Sequence, residues 1–409
     1  MTTSGLLELA HENLQWPPRE QVMEPTGAGP SIYATLAREK LGRNIRNLPE
    51  GEDVEIGVLS PNPEGDETEA PIALVCDFKR SISENTLREI YKLAWSFSRT
   101  PSFISIEPNR IRIWSCYETL PSESEALKPV DKVSRKQLES LSQPSLSQQA
   151  AKTLRLHWLS LVSGQFFQKN NKRFQRKYSA DNLLLSNLKS VRKQLAKLNL
   201  DYDTIHDLLA RIIFIQFLLD RKDAQGHPAL SVDLLASLHE SGELSKPYQN
   251  LSEILRDRDD TYRFFRWLND KFNGDLFPGK GATQVERDRE WRAEEQKVTQ
   301  DHLDLLAQFV SGNLKMETGQ LCLWSQYSFD VIPLEFISSI YEEFVREENA
   351  DKGVHYTPSH IVDFILDGVL PWNSTNWDLK ILDPACGSGI FLVKAFQRLV
   401  HRWKQANSG

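Results

Sequence analysis

Cysteine pairs are absent from this sequence, which has four cysteines in 409 residues. Cys76, Cys116, Cys322 and Cys386 lie far apart, and none is part of a Cys-x-x-Cys motif. The sequence therefore indicates neither a zinc site nor a disulfide framework, and we predict no metal site. A reducing compartment, the cytoplasm, suits such a chain.

Long hydrophobic runs and a signal peptide are absent too. The most apolar stretch, Ile205 to Leu219, is too short to span a bilayer and is interrupted by charged residues such as Asp207 and Arg211. It predicts a buried helix. Residues 1–14 have neither a basic start nor a long apolar centre, so they do not resemble a signal peptide. We expect no membrane association.

An overall excess of basic residues is also missing. The formal net charge is −7, which excludes a uniformly basic nucleic-acid binder but is compatible with a local basic face. Hydrophobic residues make up 40% and charged residues 26% of the chain, so neither global disorder nor a fibrous class is indicated. The length suggests roughly two to four domains.

The first 120 residues have the pattern of a small α/β domain. After a predicted helix at Ile32 to Leu41, short segments rich in valine, isoleucine and aromatic residues are separated by proline, glycine and asparagine. An amphipathic helix lies between the second and third of these segments. The predicted elements are the strands Val54 to Leu59, Ile72 to Phe78, Phe103 to Ile106 and Ile111 to Cys116, and the helix Glu84 to Phe97.

Within this domain, Asp77-Phe78-Lys79 follows an apolar strand. A metal-dependent nuclease places the Asp/Glu-x-Lys half of its site in this way, where two carboxylates and a lysine hold Mg²⁺ and activate water. The match is three residues long, and the sequence identifies no partner acid beyond a guess at Glu55. Solvated charges at the end of a strand explain the pattern as well, so we expect the domain not to be catalytic.

Residues 121–150 are rich in serine, proline and charged residues and predict a linker, and residues 151–330 have a helical pattern. The segment Lys152 to Lys197 contains eleven basic residues against one acid, Asp181, so its net charge is +10 (eleven minus one). Interleaved aromatic residues would suit DNA contact, whereas a solvated helix face explains the run equally well. The candidate DNA contacts are Lys169, Lys172, Arg173, Arg176 and Lys177.

A glycine turn lies near the end of the chain. The apolar run Leu379 to Leu382 leads into Asp383-Pro384-Ala385-Cys386-Gly387-Ser388-Gly389, and apolar residues then recur at helical spacing. The pattern predicts a strand, a turn and a helix. Glycines let the chain turn tightly and a ligand approach the backbone, and free N–H groups at a helix start suit an anion. We therefore expect a nucleotide-like cofactor, with a purely structural turn as the alternative.

The string Asp-Pro-Ala-Cys-Gly-Ser-Gly-x-Phe-Leu resembles motif I of the N6-adenine DNA methyltransferases, the cofactor-binding turn of their Rossmann-like domain. Gly353 to Pro358 resembles motif X, with His355 in place of the usual first tyrosine, and residues 332–344 resemble the helix before it. The resemblance implies S-adenosyl-L-methionine as the cofactor. It assigns the cofactor contacts to Tyr356, Thr357, Pro358, Asp383, Pro384, Ala385, Cys386, Gly387, Ser388, Gly389 and Phe391.

Two helical segments also resemble this family, in which motif X ahead of motif I defines the γ group. Leu208 to Arg221 is similar to its hydrophobic helix ending in Asp-Arg, and Leu268 to Phe277 is similar to its Asn-x-x-x-x-Gly-x-Leu-Phe turn. Both suggest structural roles, with Gly274 supplying a special backbone conformation and Leu276 and Phe277 entering the core. The implied fold class is α/β plus α: an α/β domain at 1–120, a helical domain at 151–330, and the start of a Rossmann-like methyltransferase domain at 331–409.

The family holds its target adenine with motif IV, Asn-Pro-Pro-Tyr or Asp-Pro-Pro-Tyr, and no such string occurs here. The acid that binds the cofactor ribose and a target-recognition domain are missing as well, so no catalytic residue is assigned. We expect the N-terminal portion of a restriction-modification or phage-defence methyltransferase that acts on double-stranded DNA with a complementing C-terminal polypeptide. A non-enzymatic DNA-binding or assembly subunit with a vestigial cofactor turn is one alternative. A nuclease centred on Asp77, in a domain that loosely resembles the nuclease-position domain of fused enzymes, is another.

Overall fold

The structure, a computed structural model, is a mixed α/β chain, as the sequence predicts. Its contacts divide the chain into two compact units, residues 1–182 with 331–409 and residues 183–330. None of the described helices is long and apolar enough to cross a membrane. The described residues are 5–122, 124–142, 153–223, 226–272, 276–316, 322, 324–333, 335–336, 340 and 357–407.

The first unit is built on a five-stranded sheet preceded by short helices. A π-helical turn, Arg38–Gly42, joins the third helix to the fourth. The elements are α1 (Leu6–Leu14), α2 (Arg19–Met23), α3 (Ala28–Ala37), α4 (Arg43–Arg46), β1 (Glu55–Leu59), β2 (Ala73–Asp77), α5 (Glu84–Phe97), β3 (Ser102–Glu107), β4 (Arg110–Ser115), β5 (Asp131–Ser134) and α6 (Arg135–Glu139).

The strands lie in sequence order across the sheet. β2 and β3 are parallel because α5 crosses between them, and the other neighbours are antiparallel. Ser83 caps α5 by accepting the Thr86 N–H at 3.2 Å, and the buried Tyr91 hydroxyl donates to the Ser115 carbonyl at 2.6 Å. The four predicted strands and the predicted helix Glu84 to Phe97 are confirmed, with strand ends shifted by one residue at most.

The sheet extends into residues predicted as a linker. β5 pairs with β4 as an edge strand and leads directly into α6, which a capping box from Ser134 and Gln137 begins. Only Val133 of the four residues in β5 is buried. One buried position gives no alternating pattern, so the surrounding serines, prolines and charges dominate the sequence signal.

Residues 153–182 also belong to the first unit, although the predicted helical domain begins at 151. They include α7 (Trp158–Val162), α8 (Gln165–Lys169) and single turns of 3₁₀-helix at 154–156 and 176–178. The Trp16 indole donates to the Leu156 carbonyl at 2.8 Å, and Phe166 packs in the same core as Trp16 and Ile113. These buried contacts explain why the segment joins the sheet.

The second unit is helical in its described part. A buried ion pair lies at its centre: Arg211 donates to both oxygens of Glu294 at 2.6 and 2.7 Å and to the Leu276 carbonyl at 2.6 Å. Phe277 is buried, as predicted, whereas Leu276 is half-buried and Gly274 lies outside the described residues. The helices are α9 (Ala180–Lys197), of which residues 180–182 are assigned to the first unit, α10 (Tyr202–Asp220), α11 (Val232–Glu240), α12 (Leu251–Leu255), α13 (Arg258–Phe272), α14 (Gln284–Lys297) and α15 (Gln300–Val310).

Two further helices complete the first unit, α16 (Ser359–Val369) and α17 (Ile390–Ala406). They share a small core of Val362, Leu366 and Leu370 from the first helix region and Ile390 and Ala395 from the second. The helix predicted after the glycine turn is thereby confirmed.

The strand predicted at Leu379 to Leu382 is not formed. A strand needs a hydrogen-bonded neighbour, and no strand in the described part of the chain pairs with this run. Ile381 and Leu382 are consequently exposed, Leu382 to 85%. The prediction was therefore wrong for this chain on its own.

We predict that Arg211→Met lowers the free energy of unfolding by about 3–5 kcal/mol, because it leaves the Glu294 carboxylate buried without its partner. Chemical denaturation followed by circular dichroism measures the change. The double variant Arg211→Met, Glu294→Leu should recover most of the loss. Arg289→Met, at an exposed position of α14, is the matched control. Equal effects of the two arginine substitutions would contradict the assignment.

Candidate cofactor site

The helices α16 and α17 run parallel and in register. Lys394 Nζ contacts Asp363 Oδ2 at 2.6 Å, Arg398 Nη2 contacts Asp367 Oδ1 at 2.7 Å, and Arg402 Nε donates to the carbonyl of residue 371 at 3.0 Å. Each pair is 31 positions apart (394 minus 363, 398 minus 367, 402 minus 371). The helix starts at residues 359 and 390 are 31 apart as well. Both helix N-termini therefore lie at the same end of the pair.

The glycine turn immediately precedes α17. The Asp383 carboxylate accepts the Ala385 N–H at 3.1 Å, and the Gly389 N–H donates to the Cys386 carbonyl at 2.7 Å. Gly387 and Gly389 have φ angles of 51° and 76°, in the left-handed region that residues with a Cβ avoid. The turn thus needs glycine for its backbone conformation.

The start of α17 has the properties of an anion site. Gly389 is its N-cap and provides no side-chain acceptor, and the first turn contains no acidic residue. The first N–H groups of a helix lack intrahelical partners and carry the positive end of the helix dipole. A carboxylate would suit this position.

The predicted cofactor residues differ in exposure. Pro384, Ala385, Cys386 and Gly387 are exposed, and Asp383, Ser388 and Gly389 are partly exposed. Phe391 differs from these turn residues, because its ring packs against the small core shared by α16 and α17. Its side chain therefore has a structural contact in addition to any contact with a ligand.

Motif X lies at the start of α16. Pro358 is the N-cap, with an extended ψ of 143°, and helical residues begin at Ser359. Proline fixes φ but leaves ψ free, so a helical conformation is not imposed on it. Thr357 therefore lies one residue before the N-cap. Tyr356 lies outside the described residues.

A second group of charges gathers where β1 begins and β2 ends. Glu55 lies directly opposite Asp77 in the antiparallel pair. Arg19 bridges the two carboxylates, reaching Asp77 at 2.9 Å, and Lys79 contacts Glu55 at 3.2 Å. Burial raises the pKa of Asp77, against the lowering effect of Arg19. The guessed partner acid is thus in place, but both carboxylates already have cationic partners.

The predicted DNA-contact residues lie in the first unit around α8 and the 3₁₀ turn. Lys169, Lys172 and Lys177 are exposed. Arg173 is instead held by the Glu118 carboxylate and by the carbonyl of residue 129 at 2.8 Å. Arg176 is exposed but stacks on the Tyr117 ring at 5.6 Å. Lys177 Nζ also lies over a ring, that of Tyr178, at 4.7 Å, while remaining exposed like Lys169 and Lys172.

The acids and bases that align α16 and α17 were not identified from the sequence. Asp363 and Asp367 are spaced i, i+4, and so are Lys394 and Arg398. On an amphipathic helix, a charge pair spaced in this way is usually assigned to the solvated face. The sequence offered one signal for their role: these charged residues stand among the apolar residues of the two helices.

Comparison with known proteins agrees with the geometry of the turn. Residues 335–408 match the family described as N-6 DNA Methylase, which includes the glycine turn and both helices. Residues 335–408 are thereby similar to the N6-adenine methyltransferase family.

One relative is the type II restriction enzyme and methyltransferase RM.Eco57I of Escherichia coli. It is 32% identical over an alignment of 108 residues, which covers 19% of this chain and 11% of the relative. The chain thus matches about a tenth of the length of that protein. No solved structure gives a significant match.

We predict that the chain does not cleave DNA with Mg²⁺, because Arg19 and Lys79 neutralise the two carboxylates that would bind the ion. Conversion of supercoiled plasmid to nicked and linear forms measures the activity. Asp53→Ala, which removes an exposed carboxylate paired with Arg80, is the control for Asp77→Ala. Mg²⁺-dependent nicking that Asp77→Ala removes and Asp53→Ala retains would establish a nuclease.

Proposed function

We propose that the chain provides part of the cofactor site of a site-specific DNA methyltransferase that transfers a methyl group from S-adenosylmethionine to N6 of adenine. A restriction-modification or phage-defence system is the setting we infer. The observation that carries the proposal is that the parallel helices α16 and α17 begin at the same end of the helix pair. It brings Thr357 and Pro358 to the same end of the helix pair as the glycine turn.

The residues present fit the methionine end of the cofactor. Asp383 would accept a hydrogen bond from its amino group, and the N–H groups that begin α17 would face its carboxylate. Thr357 and Pro358, together with Tyr356, would close one side. The bound cofactor supplies an activated methyl group on its sulfonium. The residues of this chain bind and orient it.

The remaining parts of the reaction are absent from these 409 residues. The sequence contains no Asn-Pro-Pro-Tyr or Asp-Pro-Pro-Tyr string to hold a flipped adenine. We infer that a polypeptide carrying this loop and the neighbouring strands of a Rossmann-like sheet completes the enzyme.

The apolar surface of the helix pair supports such a partner. Large side chains remain outside the core, including Phe364 at 74% exposure, Val369 at 73% and Phe396 at 67%. Exposed apolar residues concentrated in this way mark interaction surfaces. Strands that extend from the unpaired run Leu379 to Leu382 would cover them.

For the DNA substrate, we infer a sequence-independent contact through Lys169, Lys172 and Lys177. Lysines on an exposed surface neutralise phosphates and release counterions, which contributes affinity but no base recognition. Base recognition would then belong to the completing polypeptide.

We predict that the chain alone does not methylate DNA and binds the cofactor poorly, and that adding the completing polypeptide restores both. Transfer of a labelled methyl group to N6 of adenine measures the activity. Asp383→Ala should abolish it by removing the carboxylate. Gly387→Val should abolish it by placing a branched residue at a φ of 51°.

Gly368→Ala is the matched control for Gly387→Val, because a Cβ at Gly368 meets nothing within 4 Å. Robust N6-adenine methylation by the chain alone would contradict the proposal. A complex that assembles on DNA but never binds cofactor would favour the non-enzymatic alternative.

We predict weak, salt-sensitive DNA binding that Lys169→Glu, Lys172→Glu and Lys177→Glu together reduce. The slope of log affinity against log salt should fall by roughly 0.9 for each phosphate that the lysines no longer neutralise. Fluorescence anisotropy of a labelled duplex over a salt series gives both quantities.

The control for charge is the triple lysine-to-glutamate variant of Lys271, Lys280 and Lys315, which makes the same change in net charge at exposed positions of the second unit. If both triple variants leave the same affinity and slope, the lysines around α8 are only a solvated face.

A further inference from the structure

A buried charge cluster in the first unit has no part in the proposed methyl transfer. Arg398 is fully buried, and the side chain of Lys394 is 7% exposed. The Arg398 guanidinium also lies over the Trp372 ring at 4.7 Å and donates to the Leu370 carbonyl at 3.0 Å. We define the Arg398 cluster as Thr68, Asp363, Asp367, Trp372, Lys394 and Arg398.

One member of the cluster comes from the sheet region. Thr68 lies in the connection between β1 and β2, some 300 positions from the helices in the chain. Its hydroxyl donates to Asp367 at 2.6 Å and accepts from the Trp372 indole at 3.0 Å and from Arg398 at 3.3 Å. Its backbone N–H also donates to Asp367, at 2.8 Å. The hydroxyl thus uses its donor and both acceptor positions.

A second polar contact joins the same two regions. Arg99, which follows α5, pairs with Glu335 at 2.5 Å, and Gln397 of α17 donates to Glu335 at 3.2 Å. Burial disfavours the Glu335 carboxylate, but the charges of Arg99 and Lys394 and the hydrogen bonds from the backbone and Gln397 together outweigh it, so the pKa of Glu335 lies below its ordinary value. α17 is therefore held through two neighbouring residues, Gln397 and Arg398.

The connection that carries Thr68 is itself fixed to the sheet region. Gly27 and Gly29, at the start of α3, donate to the carbonyls of residues 63 and 65 at 3.1 and 3.2 Å. A Cβ on Gly29 would lie 1.7 Å from the Glu67 carbonyl oxygen, so only glycine permits this approach. The backbone just before Thr68 is therefore packed closely against the start of α3.

We propose that the Arg398 cluster is the site by which the N-terminal sheet region docks on the methylase helices and positions α17, and with it the glycine turn. Thr68, Asp367 and Arg398 are positioning residues. On this basis the N-terminal region is an integral support of the cofactor segment. The docking needs neither cofactor nor DNA, so its test is independent of the proposed function.

Hydrogen exchange of the full chain, followed by mass spectrometry, tests the proposal. Thr68→Val keeps the shape of the side chain but removes the hydroxyl that three groups share. Exchange of α16 and α17 amides should rise about tenfold, as expected when a hydrogen bond to a charged group is removed, while β2 and β3 amides keep their protection. Thr68→Ser, which restores the hydroxyl, should return α17 to the wild-type rate.

Asp367→Asn should raise exchange in the same helices, and the double variant Thr68→Val, Asp367→Asn should be less than additive because the two groups act on each other. Thr119→Val, at an exposed threonine of the same unit, is the matched control. Unchanged exchange in α17, an equal rise in the sheet and the helices, or strict additivity would each overturn the proposal.

Discussion

The ion pairs between α16 and α17, Lys394 with Asp363 and Arg398 with Asp367, fix the position of one helix start relative to the other. Apolar contacts alone would let the helices slide, because Val362 and Leu366 can pack on several positions. A slip of four residues would place Lys394 opposite Asp367 and leave Asp363 buried without a cation. An unpaired buried charge is far more costly than an imperfect apolar contact. The charges therefore select one register, and that register sets the glycine turn at the same end of the helix pair as Thr357 and Pro358.

The same charges contribute little net stability, since desolvation offsets most of their attraction. The core that the two helices share is also small, with five buried residues. A helix pair of this kind needs support from outside. One side receives it from the sheet region through Thr68 and Arg99. Phe364 and Phe396, in contrast, are largely exposed within the described part of the chain. The helix pair is thus held by the sheet region while some of its large apolar side chains stay exposed.

Elements whose sequence pattern lies within the segment itself could be predicted, and elements that depend on distant residues could not. The four strands and the helix Glu84 to Phe97 were predictable, since their periodicity lies within the segment itself. β5 was not, because an edge strand with one buried residue lacks that periodicity. The strand at 379–382 failed for the opposite reason: its local pattern is strong, but a strand exists only beside a partner. At the site, the glycine turn was evident from the sequence, whereas Thr68 could not be found, as its role depends on residues some 300 positions away.

The close approach of Gly29 to the Glu67 carbonyl has a consequence for how this gene can vary. Connections between strands ordinarily accept insertions, deletions and fused tags. Here residues 63 and 65 are bonded to the start of α3 and residue 68 is bonded to Asp367, so both ends of the segment 63–68 are fixed. Added length would have to bulge between two fixed points and would draw Thr68 away from the helices. We therefore expect homologous chains that retain both contacts to keep this connection at constant length while their exposed loops differ in size.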